Sequence, residues 1–387
     1  MQPHFPLYMA SGRGSKLYDH DGHGYLDLLG DMTAGLYGHS HPVIRDAIIS
    51  TMDNVGLSLG ATTVAEARLA EAICDRFPSI EQLRFCNSGT EANLYALSVA
   101  RQGTGLSKII VFEGAYHGGV LYFAHGLAPN NVDKEDWIIR RYNDVDDAKR
   151  LIAENKGIAA AVLIEAMHAG CREGGGGCIP ATAEFLHAVQ DAANENVAAA
   201  TSRASTPITP DLTTLGKWIG GGLAIGAFGG RQELLSIYDP RSSTIQHSGT
   251  FNNNTLAMNV GYAAITSVYT ADVCVALNQI GDELRHSLEE IAKGTKMAVT
   301  GRGSVMNIHF LRTGGASLAN TINDLHVPPE STDAILGDLF WFSLVDRGVW
   351  IAPRGMVSLL LGTIQEEIEQ FQITRKFLRE YEELVKL

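Results

Sequence analysis

"TLGKWIGGGLAIGAFGG", Thr214 to Gly230, sets one lysine, Lys217, between a short β-prone run and three consecutive glycines. Glycines at that density keep the backbone clear of side chains, so a bulky ligand can approach it closely. A lysine there is either a solvated charge at a strand end, the commoner case, or a desolvated amine able to form a Schiff base with an aldehyde. The run after it, "LAIGAFGG", reads as one more short strand. What surrounds the lysine decides between the two.

From Glu81 to about Arg231 strand-like and helix-like runs alternate. "EQLRFCNSGTEANLYALSVARQ", Glu81 to Gln102, is a short apolar run, a Ser-Gly-Thr turn, and a helix with Ala92, Tyr95, Ala96, Val99 and Ala100 on one face. Ser88 and Glu91 form a capping box, which puts the helix start at the turn. "KIIVFEGAYHGG", Lys108 to Gly119, and "IAAAVLIEAM", Ile158 to Met167, have the length of buried strands, and "TAEFLHAVQDAANEN" is a further amphipathic helix. Strands alternating with helices predict an α/β fold around a mostly parallel sheet covered on both faces.

The flanks read differently. "SKLYDHDGHGYLDLLG", Ser15 to Gly30, alternates polar and apolar residues about a turn and predicts a β-hairpin. In "GLYGHSHP" His39 and His41 stand two apart with no cysteine or carboxylate beside them, so they read as loop residues and no metal site is expected. Past "IQHSGTFNNNT" a helix begins near Leu256, followed by hairpin strands in "MAVTGRGSVMNIHF", a helix in "DAILGDLFWFSLVDRG" and strands in "VWIAPRGMVSLLLG". The final stretch predicts a long helix opened by a second capping box, Thr363 with Glu366.

The 387 residues carry 30 lysines and arginines against 43 acidic residues, a net charge of −13, with 45% hydrophobic content. That balance excludes a basic nucleic-acid arm or a polybasic membrane patch. Five cysteines (Cys74, Cys86, Cys171, Cys178 and Cys274) include no C-x-x-C pair and support neither a disulfide framework nor a zinc site. The amino terminus lacks a basic region followed by an apolar stretch, and no apolar run is long enough to span a bilayer, so a cytoplasmic protein is expected.

Three features converge on Lys217. The helix after Ser88, Gly89 and Thr90 offers free N–H groups, two hydroxyls and the positive end of a dipole, which suits a phosphate ester. Tyr116, in a Tyr-His-Gly-Gly turn at a strand end, can stack a flat ring on a heterocycle. The lysine supplies the amine. The chain resembles the class III, fold-type I pyridoxal-phosphate (PLP) aminotransferases, in the branch of glutamate-1-semialdehyde aminomutase that also holds β-amino-acid aminotransferases. "NSGTEAN", "GAYHG", "PDLTTLGKWIGGG" and "HSGTFNNN", in that order, carry the resemblance, which runs from about Leu17 to about Phe377.

The resemblance implies a large PLP-binding domain, 46–270, and a smaller α/β domain built from 1–45 and 271–387. It makes Lys217 the Schiff-base lysine and proton shuttle. Ser88, Gly89 and Thr90 would hold the phosphate, Tyr116 would stack on the pyridine ring with His117 beside it, and Glu165 would line the cofactor site, although the usual Glu-Pro is Glu165-Ala166 here. Thr250 would reach the phosphate of a neighbouring subunit, which implies a homodimer with shared active sites. Arg354, in "APRGM", is a candidate for a bidentate pair with a substrate carboxylate, and Tyr37 for the substrate pocket. The substrates would be an amino donor and an oxo acceptor.

One stretch departs from the family. Where relatives carry a buried strand and an Asp-Glu-Val turn, whose aspartate keeps the pyridine nitrogen protonated, this chain reads "NENVAAATSRASTPITPDL", Asn194 to Leu212. The aspartate position falls near Val197. Asp191, Glu195 and Asp211 belong to other motifs. A sheet without its central strand is expected, partly filled by Ala198 to Ala200. Two alternatives follow: an aminomutase or racemase, and a pseudoenzyme that keeps the fold without turnover.

Overall fold

The computed structural model describes residues 7–123, 126–168, 177–196, 200–201, 208–241, 245–312, 333–363, 368 and 373–386. Their contacts fall into two units, one drawn from Met1–Arg45, Cys171–Pro180 and Ser267–Leu387, the other from Asp46–Gly170 and Ala181–Thr266.

The first unit opens with strands β1 (Met9–Arg13), β2 (Lys16–Asp19) and β3 (Gly24–Asp27), and the expected hairpin is the antiparallel β2–β3 pair. The buried Asp19 carboxylate closes its turn, accepting from the His23 amide at 2.8 Å and the Tyr25 hydroxyl at 2.9 Å.

The second unit begins within helix α1 (Pro42–Asn54) and continues with α2 (Val64–Arg76), strand β4 (Gln82–Cys86), helix α3 (Gly89–Thr104) and strands β5 (Lys108–Phe112) and β6 (Trp137–Arg140). Helix α4 (Val145–Glu154), strands β7 (Ala159–Leu163) and β8 (Met167–His168), and, after β9 (Ile179–Pro180) of the first unit, helix α5 (Ala183–Asn196) come next. Strands β10 (Ala200–Thr201), β11 (Leu212–Gly216) and β12 (Gly226–Gly230) and helix α7, preceded by the single turn α6 (Gln232–Leu235) and itself spanning Thr255–Ala263, complete it.

Seven of these strands form one sheet in the order β4-β12-β11-β10-β7-β5-β6. Its pairs are parallel from β11 through β6 and antiparallel on both sides of β12. Alternation along the strands splits the core into two layers. Leu212 and Phe228 pack with Ala92, Ala96 and Ala100 of α3, whereas Leu215 and Ala227 pack with Leu69 and Ile73 of α2 and Ala257 of α7.

The sheet is continuous where the sequence suggests a missing strand. Ala200 pairs with Val162, and Thr201 with both Leu163 and Leu212, in parallel register. Two residues suffice because backbone groups make the ladder, and unpaired neighbours in a buried sheet would cost about 1–3 kcal/mol each. Residues 197–199 and 202–207, including the position near Val197, lie outside the described residues.

The rest of the first unit carries helix α8 (Ala271–Ala292), the hairpin β13 (Met297–Arg302) and β14 (Val305–Phe310), helix α9 (Ala334–Asp346), strands β15 (Val349–Trp350) and β16 (Met356–Ser358), and helix α10 (Ile373–Glu380). β15 pairs with β3, and β16 with β14. The expected long final helix ends at Glu380. Lys296 donates to the Val385 carbonyl at 2.7 Å and Thr295 bridges Lys386, so the chain end is drawn onto the strand side and only a short turn, Glu382–Val385, follows Tyr381. Glu366, the partner proposed for Thr363, is outside the described residues.

His309 on β14 is fully enclosed, and desolvation pushes its pKa down to about 4. Thr300 Oγ1 donates to the Gly177 carbonyl, so at 2.7 Å it accepts from His309 Nε2, while Asn307 Nδ2 faces Nδ1 at 3.3 Å. This network assigns the neutral Nε2–H tautomer. The folded pKa lies below the unfolded 6.5, so the unfolded chain binds the extra proton as pH falls. Stability from this site is whole above 6.5 and declines through the interval down to 4, by about 3 kcal/mol at its limit. Urea unfolding at pH 7 and pH 4.5 is expected to show a steeper loss for the wild type than for His309→Gln; equal losses would refute this.

Candidate active site

The C-terminal ends of the parallel strands are where an open α/β sheet binds ligands. β4, β5, β7 and β11 all point their chain toward this edge, and they lead to Ser88, Tyr116, Glu165 and Lys217 in turn.

Ser88 is the N-cap of α3, and its Oγ accepts from the Glu91 amide at 3.2 Å. The Glu91 carboxylate accepts from the Asn87 amide at 3.0 Å, so the second half of the capping box read from the sequence is made one residue before the N-cap. The side-chain hydroxyl thus serves one orphan donor, and the amides of Gly89 and Thr90 open the helix. A Cβ on Gly89 would meet nothing within 4 Å. Thr90 Oγ1 accepts from the Gly119 amide at 3.3 Å, and a Cβ on Gly118 would stand 2.3 Å from that oxygen. The Tyr116–Gly119 turn is therefore fitted against the first turn of α3.

Tyr116 is 41% exposed, with its ring edge-on to Tyr122. Its amide donates to Glu165 Oε2 at 3.0 Å, and the buried Tyr142 hydroxyl donates to the Glu165 carbonyl at 2.7 Å. Burial, with Glu165 nearby, raises the Tyr142 pKa well above its ordinary value, so this donor keeps its proton. His117 is buried, and its amide donates to the Leu121 carbonyl.

Lys217 follows β11 directly and is half-buried, at φ 59. A left-handed lysine is an uncommon backbone state and marks a site worth inspecting. A Cβ on Gly216 would come 3.3 Å from the Gly89 backbone, so the residue before Lys217 abuts the helix opening. Amine, phosphate-type cradle, exposed ring and buried carboxylate thus share one strand edge.

Sequence reasoning missed the polar links between these parts. Asn93, 4% exposed, accepts from Thr214 Oγ1 at 2.8 Å and donates to the His117 carbonyl at 2.6 Å. It sits inside "NSGTEAN", yet on helical spacing alone it reads as one more interior position. Asn87 donates to Asn252 Oδ1 at 2.9 Å, and Asn252 Nδ2 faces His247 Nε2 at 3.2 Å. His247 lies among Tyr95, Phe228 and Tyr238, and burial lowers its pKa to about 4, with Arg84 adding to the shift. These anchors hold the turn on which Thr250 stands exposed. A cavity of about 870 Å³ adjoins that turn, lined by Arg84, His247 and Asn252 among others, and Lys217, Ser88 and Tyr116 are not among its walls.

The remaining sequence candidates belong to the other unit. Arg354 is exposed, with Nη2 3.1 Å from the Met356 sulfur and 3.6 Å from that of Met32. Tyr37 is buried edge-on to Tyr269. His39 Nε2 faces the buried carboxylate of Asp27, the last residue of β3, at 3.0 Å, a partner twelve residues away that the sequence pattern does not place beside it.

The sequence model of the family "Aminotransferase class-III" matches residues 1–124 and 121–367. The chain belongs to the class-III aminotransferases. It is 46% identical to an uncharacterized aminotransferase of Schizosaccharomyces pombe, over 96% of this chain and 85% of that one. To the beta-phenylalanine transaminase of Variovorax paradoxus it is 42% identical, over 95% and 85%. The crystal structure of a beta-phenylalanine aminotransferase from Variovorax paradoxus superposes with a TM-score of 0.92 at 40% identity, covering 100% of this chain and 90% of that one. A glutamate-1-semialdehyde 2,1-aminomutase of Acetivibrio thermocellus is 32% identical, over 92% and 86%.

This class-III aminotransferase is a PLP enzyme of fold type I. The residues present fit the cofactor: an uncrowded capped helix start for an anion, a partly exposed ring at the same strand edge, and a lysine directly after the glycine that abuts the helix start. No single described helix is long and apolar enough to cross a membrane.

Proposed function

We propose that this aminotransferase takes its amino group from a carboxylate-bearing β-amino acid and passes it to an oxo acid. The convergence of Lys217, the α3 opening and Tyr116 on one strand edge carries the reading of the site. Pyridoxal phosphate, when bound, supplies the aldehyde that accepts the amino group and the ring that withdraws electrons from the adjacent carbon. Lys217 would supply the amine that holds the cofactor and the base that moves the proton. The Gly89 and Thr90 amides, with the Ser88 and Thr90 hydroxyls, take the phosphate. Tyr116 and His117 would lie beside the ring, and Glu165 fixes the Tyr116 backbone.

Similarity to the Variovorax transaminase, and an exposed Arg354 guanidinium that lies against two thioethers, support the choice of donor. An arginine in that state is ready to take a carboxylate in two parallel hydrogen bonds. Tyr37 is assigned to the substrate pocket wall. Arg354→Ala is expected to raise KM for a β-amino acid at least about tenfold, the size of one charge-assisted contact, and to leave KM for an amine lacking a carboxylate unchanged. Equal effects on both donors would remove Arg354 from substrate recognition.

Domain bounds of 46–270 for cofactor binding, with 1–45 and 271–387 as the small domain, belong to the same reading. So does a homodimer in which Thr250, held out on its anchored turn, serves the neighbouring subunit's phosphate. Sedimentation of the loaded enzyme tests the dimer. A cytoplasmic location accords with free thiols at Cys74, Cys86, Cys178 and Cys274.

A further inference from the structure

We propose that Asn93 is a positioning residue that sets the distance and angle between the Lys217 amine and the Tyr116 ring. The inference rests on the reading of Lys217 as the cofactor lysine. Asn93 bonds both the lysine strand and the tyrosine turn. Thr214 lies three residues before Lys217 on β11, and His117 directly follows Tyr116. The amide is used at both ends: Oδ1 accepts from the Thr214 hydroxyl at 2.8 Å, and Nδ2 donates to the His117 carbonyl at 2.6 Å.

All three groups are buried, with exposures of 4% at Asn93, 7% at Thr214 and 4% at His117. In that low-dielectric setting each bond is stiff and water does not replace a lost partner. Chemistry is also matched in direction. A carbonyl needs a donor and a hydroxyl offers one, and a carboxamide answers both without a charge, with a separate atom for each. Leucine would fill the volume and leave two polar groups stranded. Aspartate would keep the Thr214 bond but turn an acceptor toward the His117 carbonyl. The helix makes the link rigid, because Asn93 stands within the first turns of α3, whose opening carries Ser88, Gly89 and Thr90. One amide therefore registers phosphate cradle, ring and amine against one another.

A residue that only fills space alters folding. A residue that registers the amine alters how the amine titrates against the bound cofactor. The test compares wild type, Thr214→Val, Thr214→Ser and Asn93→Asp, each loaded with PLP. Thr214→Val keeps the shape and removes the donor; Thr214→Ser keeps the donor. Three readouts are taken: the pH midpoint of the visible band of the lysine-bound cofactor, visible circular dichroism of that band, and PLP affinity by fluorescence titration of the apoprotein. Thr214→Val and Asn93→Asp are expected to move the midpoint and the circular dichroism and to weaken PLP affinity about tenfold. Their kcat is expected to fall by about ten- to a hundredfold with KM for the donor little changed, the size of a sub-ångström misplacement of reacting groups. Thr214→Ser is expected to restore all of these.

Thermal melting separates a folding defect, since Thr214→Val exchanges only the hydroxyl for a methyl at nearly constant volume, whereas Thr214→Ser keeps the hydroxyl and gives up the methyl. A Thr214→Val protein that melts lower but keeps the wild-type band midpoint, circular dichroism and affinity would overturn the proposal. A wild type that forms no visible band with PLP would overturn the reading of Lys217 itself, a result distinguishable from a wild-type band that the variants leave unmoved.

Discussion

Lys217→Ala is expected to lose amino transfer by at least about four orders of magnitude, the upper range for removing a positioned acid–base group, while folding as the wild type does. The backbone at φ 59 is strained for any residue with a Cβ, so alanine adds no new strain. The side chain is only half-buried, so little packing is lost. Lys217→Arg sharpens the result. Arginine keeps the charge and most of the reach, but its guanidinium stays protonated and cannot attack an aldehyde. A solvated strand-end charge would tolerate that exchange, whereas a cofactor lysine would not. Absorbance spectra of the three proteins with added PLP decide it: a visible band in the wild type alone is expected, bleached by an amino donor. A band that persists in Lys217→Arg would return the lysine to the ordinary surface charge with which "TLGKWIGGG" began.

Much of the fold was open to sequence reading because the relevant signals are local. Apolar runs of strand length, helical spacing in "TEANLYALSVA" and the Ser88–Glu91 box each follow from interactions within a few residues. The strand ends they define then place Lys217, Ser88 and Tyr116 on one edge without further information. What stayed hidden depends on residues far apart in the chain. The Asn93 link joins positions 121 residues apart, and the Asn87–Asn252 bond spans 165. Neither has a period or a motif of its own.

The central strand failed for the opposite reason. A strand in the middle of a parallel sheet is identified by its apolar run, and "VAAATSR" offers only four small residues before it turns polar. Ala200 and Thr201 pair with β7 and β11 all the same, because two neighbours already in place fix the backbone between them. Tertiary context overrides propensity where ladders wait on both sides. The break in the final helix is similar: the bridge from Thr295 to Lys386 is invisible from either end alone.

Glycine spacing in β12 links that fold directly to the chemistry, and Gly226→Ala is expected to damage both. A Cβ on Gly226 would stand 2.1 Å from the Ser88 carbonyl oxygen and 2.7 Å from the Cys86 sulfur. β12 is held on both sides, with Gly226 paired to Cys86 and to Gly216, so the strand cannot slide away. The Ser88 carbonyl must move instead, and it is the acceptor for the Ala92 amide in the first turn of α3. Overpacking of this kind costs about 3 kcal/mol, and it loosens the helix opening proposed to take the phosphate. A lower melting temperature and an at least about tenfold weaker PLP affinity, roughly 1.4 kcal/mol, are expected together. Gly89→Ala supplies the contrast. Its Cβ would meet no protein atom within 4 Å, so melting is expected to stay at the wild-type value while PLP affinity falls, because the only thing such a methyl can obstruct is the ligand. A Gly226→Ala protein that melts and binds as the wild type does would detach the strand from the cradle, and a Gly89→Ala protein with undiminished affinity would move the phosphate away from the start of α3.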